Sequence, residues 1–275
     1  MKLKQAVVFI IFLLHGAIAM ALPQNSPVPG GVAIVDLDYT QAQPPVVTYR
    51  GNKVMVYHGE HGWQAIVGIP LATKPGSQSI ELHGNPHSRK IRFEVKDKKY
   101  AVQRLSIKNK RMVNPTKDDL VRIGKEVKII RAAFKSWSDV YAIPDTLLQP
   151  TEGIRSSSFG LRRFFNGEPR NPHSGMDIAA PEGQTVAAPA DGKVVTIGDY
   201  FFNGKTIFID HGQGLVSMFC HLSAVDVKEG QQIKRGEHVG NVGMTGRVTG
   251  PHLHWSVSLN NARVDPALFM AATND

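Results

Sequence analysis

One cysteine in 275 residues, Cys220, excludes an intramolecular disulfide, so the chain must hold itself together by packing. After the first two dozen residues no run is apolar enough to span a bilayer. HExxH is missing, and so are GxSxG, a P-loop and any Cys-His nucleophile arrangement. Thermolysin-type, serine-hydrolase, nucleotide-hydrolysing and thiol-nucleophile chemistries therefore have no motif here. Charged residues make up 20% of the chain and apolar ones 42%, which excludes disorder and fibres and leaves a globular protein with one large core or two ordinary ones.

What is present begins with MKLKQAVVFIIFLLHGAIAMALPQ. Two lysines precede a short apolar run broken by His15 and Gly16, followed by small residues in the pattern AxA, which is how a secretory signal peptide reads. Residues 1–21 are accordingly a leader cut after Ala19 or Ala21, with no membrane span left once it is removed. Loss of Lys2 and Lys4 takes the formal charge from +9 to +7. Such a surface suits an anionic neighbourhood such as cell-wall polymers, but charge alone names no partner, and an exported chain rarely meets nucleic acid.

The expected architecture is mainly β. Residues 22–115 form an N-terminal β-rich accessory domain, with VAIVDLDY, PVVTYR, KVMVYHG, WQAIVGIPL, SIELHG, IRFEVKD and YAVQRLSI as short strands between turn signals. Residues 116–152 are a linking helix and an extended arm. Leu120, Ile123, Val127, Ile130, Phe134 and Trp137 repeat at helical spacing behind Thr116 as N-cap, and this stripe should pack on its own protein. Pro144 and Pro150 mark the arm. Residues 153–275 form a second, mainly antiparallel β domain.

Three motifs of that second domain carry the histidines of interest. Strict alternation in HLHWSVSL puts His252, His254, Ser256 and Ser258 on one face of a strand, with Leu253, Trp255, Val257 and Leu259 on the other. PHSGMDIAAP reads as a loop running into a strand and supplies His173 and Asp177, four residues apart. LVSMFCHLS ends a strand at His221. HxxxD with HxH offers two imidazoles and a carboxylate, the ligand set of a catalytic zinc with its fourth position open.

From Ser156 to Pro266 the segments SSSFGLRR, HSGMDIAAP, GKVV, IDHGQGL, CHLS, GNVGMTGRVTGPHLHW and VDP follow one another in an order that resembles the lysostaphin/LytM-type zinc metallopeptidases, which cut peptide bridges of bacterial peptidoglycan. The resemblance covers about two fifths of the chain. It implies an antiparallel LytM-type catalytic domain with a groove, and one Zn2+ per chain held by His173, Asp177 and His254. His221 and His252 would flank the metal. Cys220, where an apolar or small residue is expected, points away from His221 on an ideal strand and so away from zinc.

In such a centre zinc lowers the pKa of water and polarises the scissile carbonyl. Without a glutamate base an imidazole must handle the proton. His252 is assigned as general base and His221 as donor to the oxyanion, the two roles being exchangeable. Gly243, Gly246 and Gly250 are either close-approach points for an extended peptide or plain turn glycines. Arg162 and Asn166, beside the metal loop, are candidates for contacts with peptide carboxylates.

The reading is then an exported zinc endopeptidase acting on peptidoglycan cross-links, with the periplasm favoured by the absence of wall-binding repeats and of a lipobox cysteine. Two alternatives stand beside it: a catalytically silent LytM-like activator of another wall hydrolase, and a secreted protease of Gly-rich proteins. The N-terminal domain either positions the enzyme or occludes its site, lending a His, Asn or acid to the metal.

Overall fold

The computed structural model describes residues 23–60, 62–84, 87–140 and 146–271. The leader, and the part of the arm containing Pro144, lie outside the described residues. Among those described, no helix is long and apolar enough to cross a membrane.

The fold is mainly β, as expected. Its centre is an eight-stranded antiparallel sheet in the order Gln232–Ile233, Gly192–Tyr200, Gly204–Asp210, Val216–Leu222, His252–Leu259, Met176–Ala179 and Ile154–Ser157, with Ala262–Val264 added to His252–Leu259. Leu253, Trp255, Val257 and Leu259 are all fully buried on one face of their strand, where they meet Phe219, Ile207 and Ile209. Each such side chain contributes about 1.5–3 kcal/mol by leaving water. The alternation in HLHWSVSL thus anchors the strand from behind and turns its histidines the other way.

The N-terminal half has two small antiparallel sheets. Val32–Asp36, Gly62–Gly68 and Met55–Gly59 make one; Asn52–Lys53, Val46–Tyr49, Gly76–His83 and Arg89–Val95 make the other. Their apolar faces close on a core of their own that includes Leu37, Ile69, Ile80 and Trp63. Two side-chain amides tie this half to the central sheet. Asn260 accepts from Gly68 N at 2.6 Å and donates to Gly68 O at 2.9 Å, and Gln213 does the same at Val56, at 3.0 and 3.1 Å. Both amides thereby imitate a backbone unit across the boundary.

Val102–Leu105, which sequence groups with the N-terminal strands, pairs instead in parallel with Arg162–Phe165 of the C-terminal half. It brings Leu105 and Ile107 to the wall of the groove described below.

The helix spans Lys117–Phe134 behind a capping box, Asp119 N donating to Thr116 Oγ1 at 3.3 Å and Thr116 N to Asp119 Oδ2 at 3.0 Å. The stripe does not pack along its whole length. Ala133 and Phe134 are buried against Phe208, Val216, Met218 and Cys220, while Leu120 is 56% exposed. Polar contacts fasten the middle, where Arg122 donates to Asp199 O at 2.9 Å and Glu126 accepts from Phe201 N at 2.9 Å. Periodicity finds a helix face but not how far the neighbouring sheet reaches beneath it.

Candidate metal centre

Pairing in register, Met176–Ala179 lies antiparallel to His252–Leu259 with Asp177 opposite His254. Cross-strand partners share a face, so this register alone brings the carboxylate to the imidazole. His173 arrives from the preceding loop, pinned by backbone bonds from His173 N to Leu161 O and from Gly160 N to His173 O.

Three atoms converge. Asp177 Oδ1 lies 2.8 Å from His254 Nδ1 and 3.0 Å from His173 Nε2, and the two nitrogens are 3.0 Å apart. The outer nitrogens are engaged. His173 Nδ1 donates to Ser158 O at 2.7 Å. His254 Nε2 meets Ser256 Oγ at 2.9 Å, and that hydroxyl donates onward to Ser174 O, so it accepts from the imidazole. Both tautomers therefore present lone pairs to Asp177, and three acceptors facing one another call for a cation between them.

Electrostatics keep the set in its ligating form. Burial pushes the Asp177 carboxyl up, but a proton held between it and His173 or His254, which a cation would replace, outweighs burial and keeps the group well below the usual carboxylate range. Burial lowers His254 to about 4, so it is a neutral imidazole at pH 7. Asp177 Oδ2 is taken by Arg163 Nη2 at 2.7 Å, which leaves Oδ1 for the centre.

His221 and His252 flank the trio, ring centroids 4.9 Å apart. His252 Nδ1 donates to Gly250 O at 2.8 Å, and its Nε2 stands 4.0 Å from Asp177 Oδ1. His221 Nδ1 donates to Thr245 O at 2.9 Å. In the neutral form each ring then carries its lone pair on Nε2. Burial, then the neighbouring His252 and His254, lowers His221 to about 3. Alternation along Val216–Leu222 would send His221 to the core side with Phe219, but its φ of 64° is left-handed and turns the ring to the groove.

Cys220 is paired in register with His254, yet its thiol is turned to the helix-side core, receives Asn203 Nδ2 at 3.2 Å and is pushed by burial to about 12. A protonated, buried thiol is inert. It stands outside the donor trio.

The groove over these residues is lined by Leu105, Ile107, Phe165, Phe202, Arg163 and Arg247 among others. Of the two arginines in LRRFF, Arg163 faces the centre, whereas Arg162, the sequence candidate, is exposed and outside the groove. Asn166 is engaged elsewhere, accepting from Ile107 N at 2.8 Å and donating to Ile107 O at 3.1 Å. The parity of the strand Arg162–Phe165, with Phe165 buried, was the signal for Arg163. Gly243 and Gly246 approach the protein's own backbone: a Cβ there would stand 2.3 Å from Ser223 N and 2.5 Å from Gly204 N, while Gly250 has open space. The first two shape the loop rather than meet a peptide. Among the lining residues the N-terminal half supplies only Leu105 and Ile107.

A β-sheet scaffold carrying two imidazoles, a carboxylate and two further histidines in a groove is that of a metallopeptidase. Residues 171–266 match the model of peptidase family M23, and residues 25–98 match that of the peptidase family M23 N-terminal domain. A crystal structure from Pseudomonas aeruginosa, described as a peptidase M23, superimposes with a TM-score of 0.77 at 48% identity, covering 90% of this chain and 97% of that one. The chain belongs to peptidase family M23. Curated relatives include the peptidoglycan DD-endopeptidase ShyA of Vibrio cholerae and the DD-carboxypeptidase/endopeptidase Mpg of Neisseria meningitidis. Each is 40% identical over 111 residues, which is 40% of this chain and 26% of the relative. The match thus spans about a quarter of the length of these relatives.

Proposed function

We propose that the chain is an exported, zinc-dependent endopeptidase that hydrolyses peptide cross-links of peptidoglycan. The observation that carries the reading is the convergence of His173 Nε2, Asp177 Oδ1 and His254 Nδ1, each with its outer partner in place. Two nitrogens and an oxygen with ordered outer contacts suit zinc, a borderline-soft ion content with a mixed donor set. When bound, zinc supplies Lewis acidity and makes water nucleophilic near neutral pH.

The protein's own groups account for the proton. His252 Nε2, 4.0 Å from Asp177 Oδ1, is the lone-pair nitrogen of the neutral ring and is the base. His221 also begins as an acceptor, because Thr245 O holds its proton on Nδ1. To donate to the oxyanion it must carry that one proton on Nε2 instead, by a shift of tautomer that gives up the bond to Thr245 O. Leu105, Ile107, Phe165 and Phe202 give the groove apolar walls that reduce water around the reacting carbonyl.

Residues 153–275 would be the peptidase domain and 22–115 an accessory domain joined by 116–152, with the Val102–Leu105 strand lent to the groove. Positioning rather than occlusion is the role we favour, since the N-terminal half contributes apolar wall residues and, among the described residues, no metal donor. The relatives named as peptidoglycan enzymes support the substrate class. An intact donor set argues against a silent activator.

The test is release of soluble muropeptides from purified sacculi by protein lacking residues 1–21, with and without chelator and added zinc. Metal-dependent release that His254→Ala lacks is expected. No release despite one bound zinc would sink the wall-peptidase reading and turn attention to elastin-like substrates or to activation of another hydrolase.

A further inference from the structure

One cation in the groove is left unneutralised. Arg247 stands in TGRVTGP, the loop leading into the His252–Leu259 strand. Its guanidinium carbon lies 4.2 Å from the ring centre of Phe202 and 4.7 Å from that of Phe165. Phe165 ends the strand paired with Val102–Leu105, and Phe202 sits in the turn before Gly204–Asp210, so two separate sheets hold the side chain. The other arginines nearby are paired: Arg163 with Asp177 at 2.7 Å, Arg170 with Glu168 at 2.6 Å. Among the described residues no carboxylate pairs with Arg247, and the one hydrogen bond of its guanidinium is a long contact from Nη1 to Met112 O at 3.4 Å.

Aromatic rings offset part of a cation's charge but accept nothing from its in-plane N–H groups. Nε and Nη2 are therefore donors without a protein acceptor among the described residues, in a groove that also contains the histidines. Burial, with Arg163 and Arg170 nearby, lowers Arg247 to about 10, so it stays charged at neutral pH. Keeping a half-buried guanidinium charged and unpaired costs free energy, which a bound anion would recover. The anions that a peptide carries are carboxylates.

We propose that Arg247 is a specificity-determining residue that receives a free carboxylate of the bound peptide, so that the groove selects carboxylate-bearing strands over uncharged ones such as glycine bridges. The inference rests on the peptidase reading of the groove. A purely structural Arg247, a staple between two aromatic rings, would instead support every ligand alike.

The test uses a D-alanyl cross-link peptide whose acceptor residue carries a free carboxylate, and the same peptide with that group as the carboxamide. Each is titrated calorimetrically into the chelator-treated full-length mature protein, so that nothing is cleaved. The carboxylate form should bind about 10-fold tighter or more. Arg247→Gln should erase the preference while leaving affinity for the carboxamide unchanged, and Arg247→Lys should keep part of it by charge without the fork. Equal affinities in the wild type, or an equal loss for both peptides in Arg247→Gln, would overturn the proposal. If Arg247→Gln does not fold, the wild-type pair and Arg247→Lys decide. Failure of the peptidase reading would look different: selectivity in binding would persist, while neither peptide is cut after zinc is restored.

Discussion

The two halves of this molecule bury different things. Between residues 25 and 98 the described interior is apolar apart from Thr73, and the cluster around Leu37, Ile69 and Ile80 holds no titratable group except the hydroxyl of Tyr49. The C-terminal half buries His173, Asp177, Asp210, His211, His221 and His254 as well as serines on the His252–Leu259 strand. Buried polar groups cost free energy unless each is paired, so a fold retains them where they do something other than stabilise. One half is a scaffold that can tolerate change of shape at a price in stability; the other places protons and lone pairs.

The groove half is most sensitive at its flanking histidines. His252→Ala and His221→Ala should each lower muropeptide release by about 10²- to 10⁴-fold while bound zinc, read by metal analysis, stays stoichiometric. Loss of zinc in either would move that residue into the donor set and redraw the site. Next, Arg163→Gln removes the partner of Asp177 Oδ2 and should weaken zinc affinity by about 10- to 100-fold in a chelator competition. Unchanged affinity would mean that Asp177 needs no outer support.

On the scaffold side, Ile80→Ala should destabilise the fold by about 2–5 kcal/mol in a denaturant titration, because a fully buried side chain leaves a cavity. Turnover below the unfolding range should not change. A selective fall in turnover would show that the N-terminal half does more than support. The smallest effect concerns pH. Burial holds His211 below its ordinary 6.5 despite its bonds to Asp191 O and Ser217 Oγ. The unfolded chain then binds the extra proton first, so stability is full above about pH 6.5 and declines as pH falls below it. In His211→Asn that acid-side decline should be shallower by thermal melts across pH 5–8.

The central strand was legible because a period of two with histidines on one parity and large apolar residues on the other admits one arrangement over a core. The helix start was legible from Thr116 and Asp119, whose side chains act locally. What escaped depends on distant segments. Arg163 rather than Arg162 meets Asp177 because Phe165 takes the buried position two residues on. His221 reaches the groove through a left-handed φ that no neighbouring residue announces. Nothing beside Gln213 or Asn260 announces their contacts, because the Val56 and Gly68 backbones they bind lie far away in sequence.

Those amide clamps set a timing. Their partners are 157 and 192 residues apart along the chain, and His173 and His254 are separated by 81. Contacts of such separation form slowly, because the intervening loop must close before they return anything. During refolding the N-terminal sheets should therefore gain protection from hydrogen exchange well before the groove does. Metal uptake would then report the last event of folding, and a half-folded chain would be unable to cut anything.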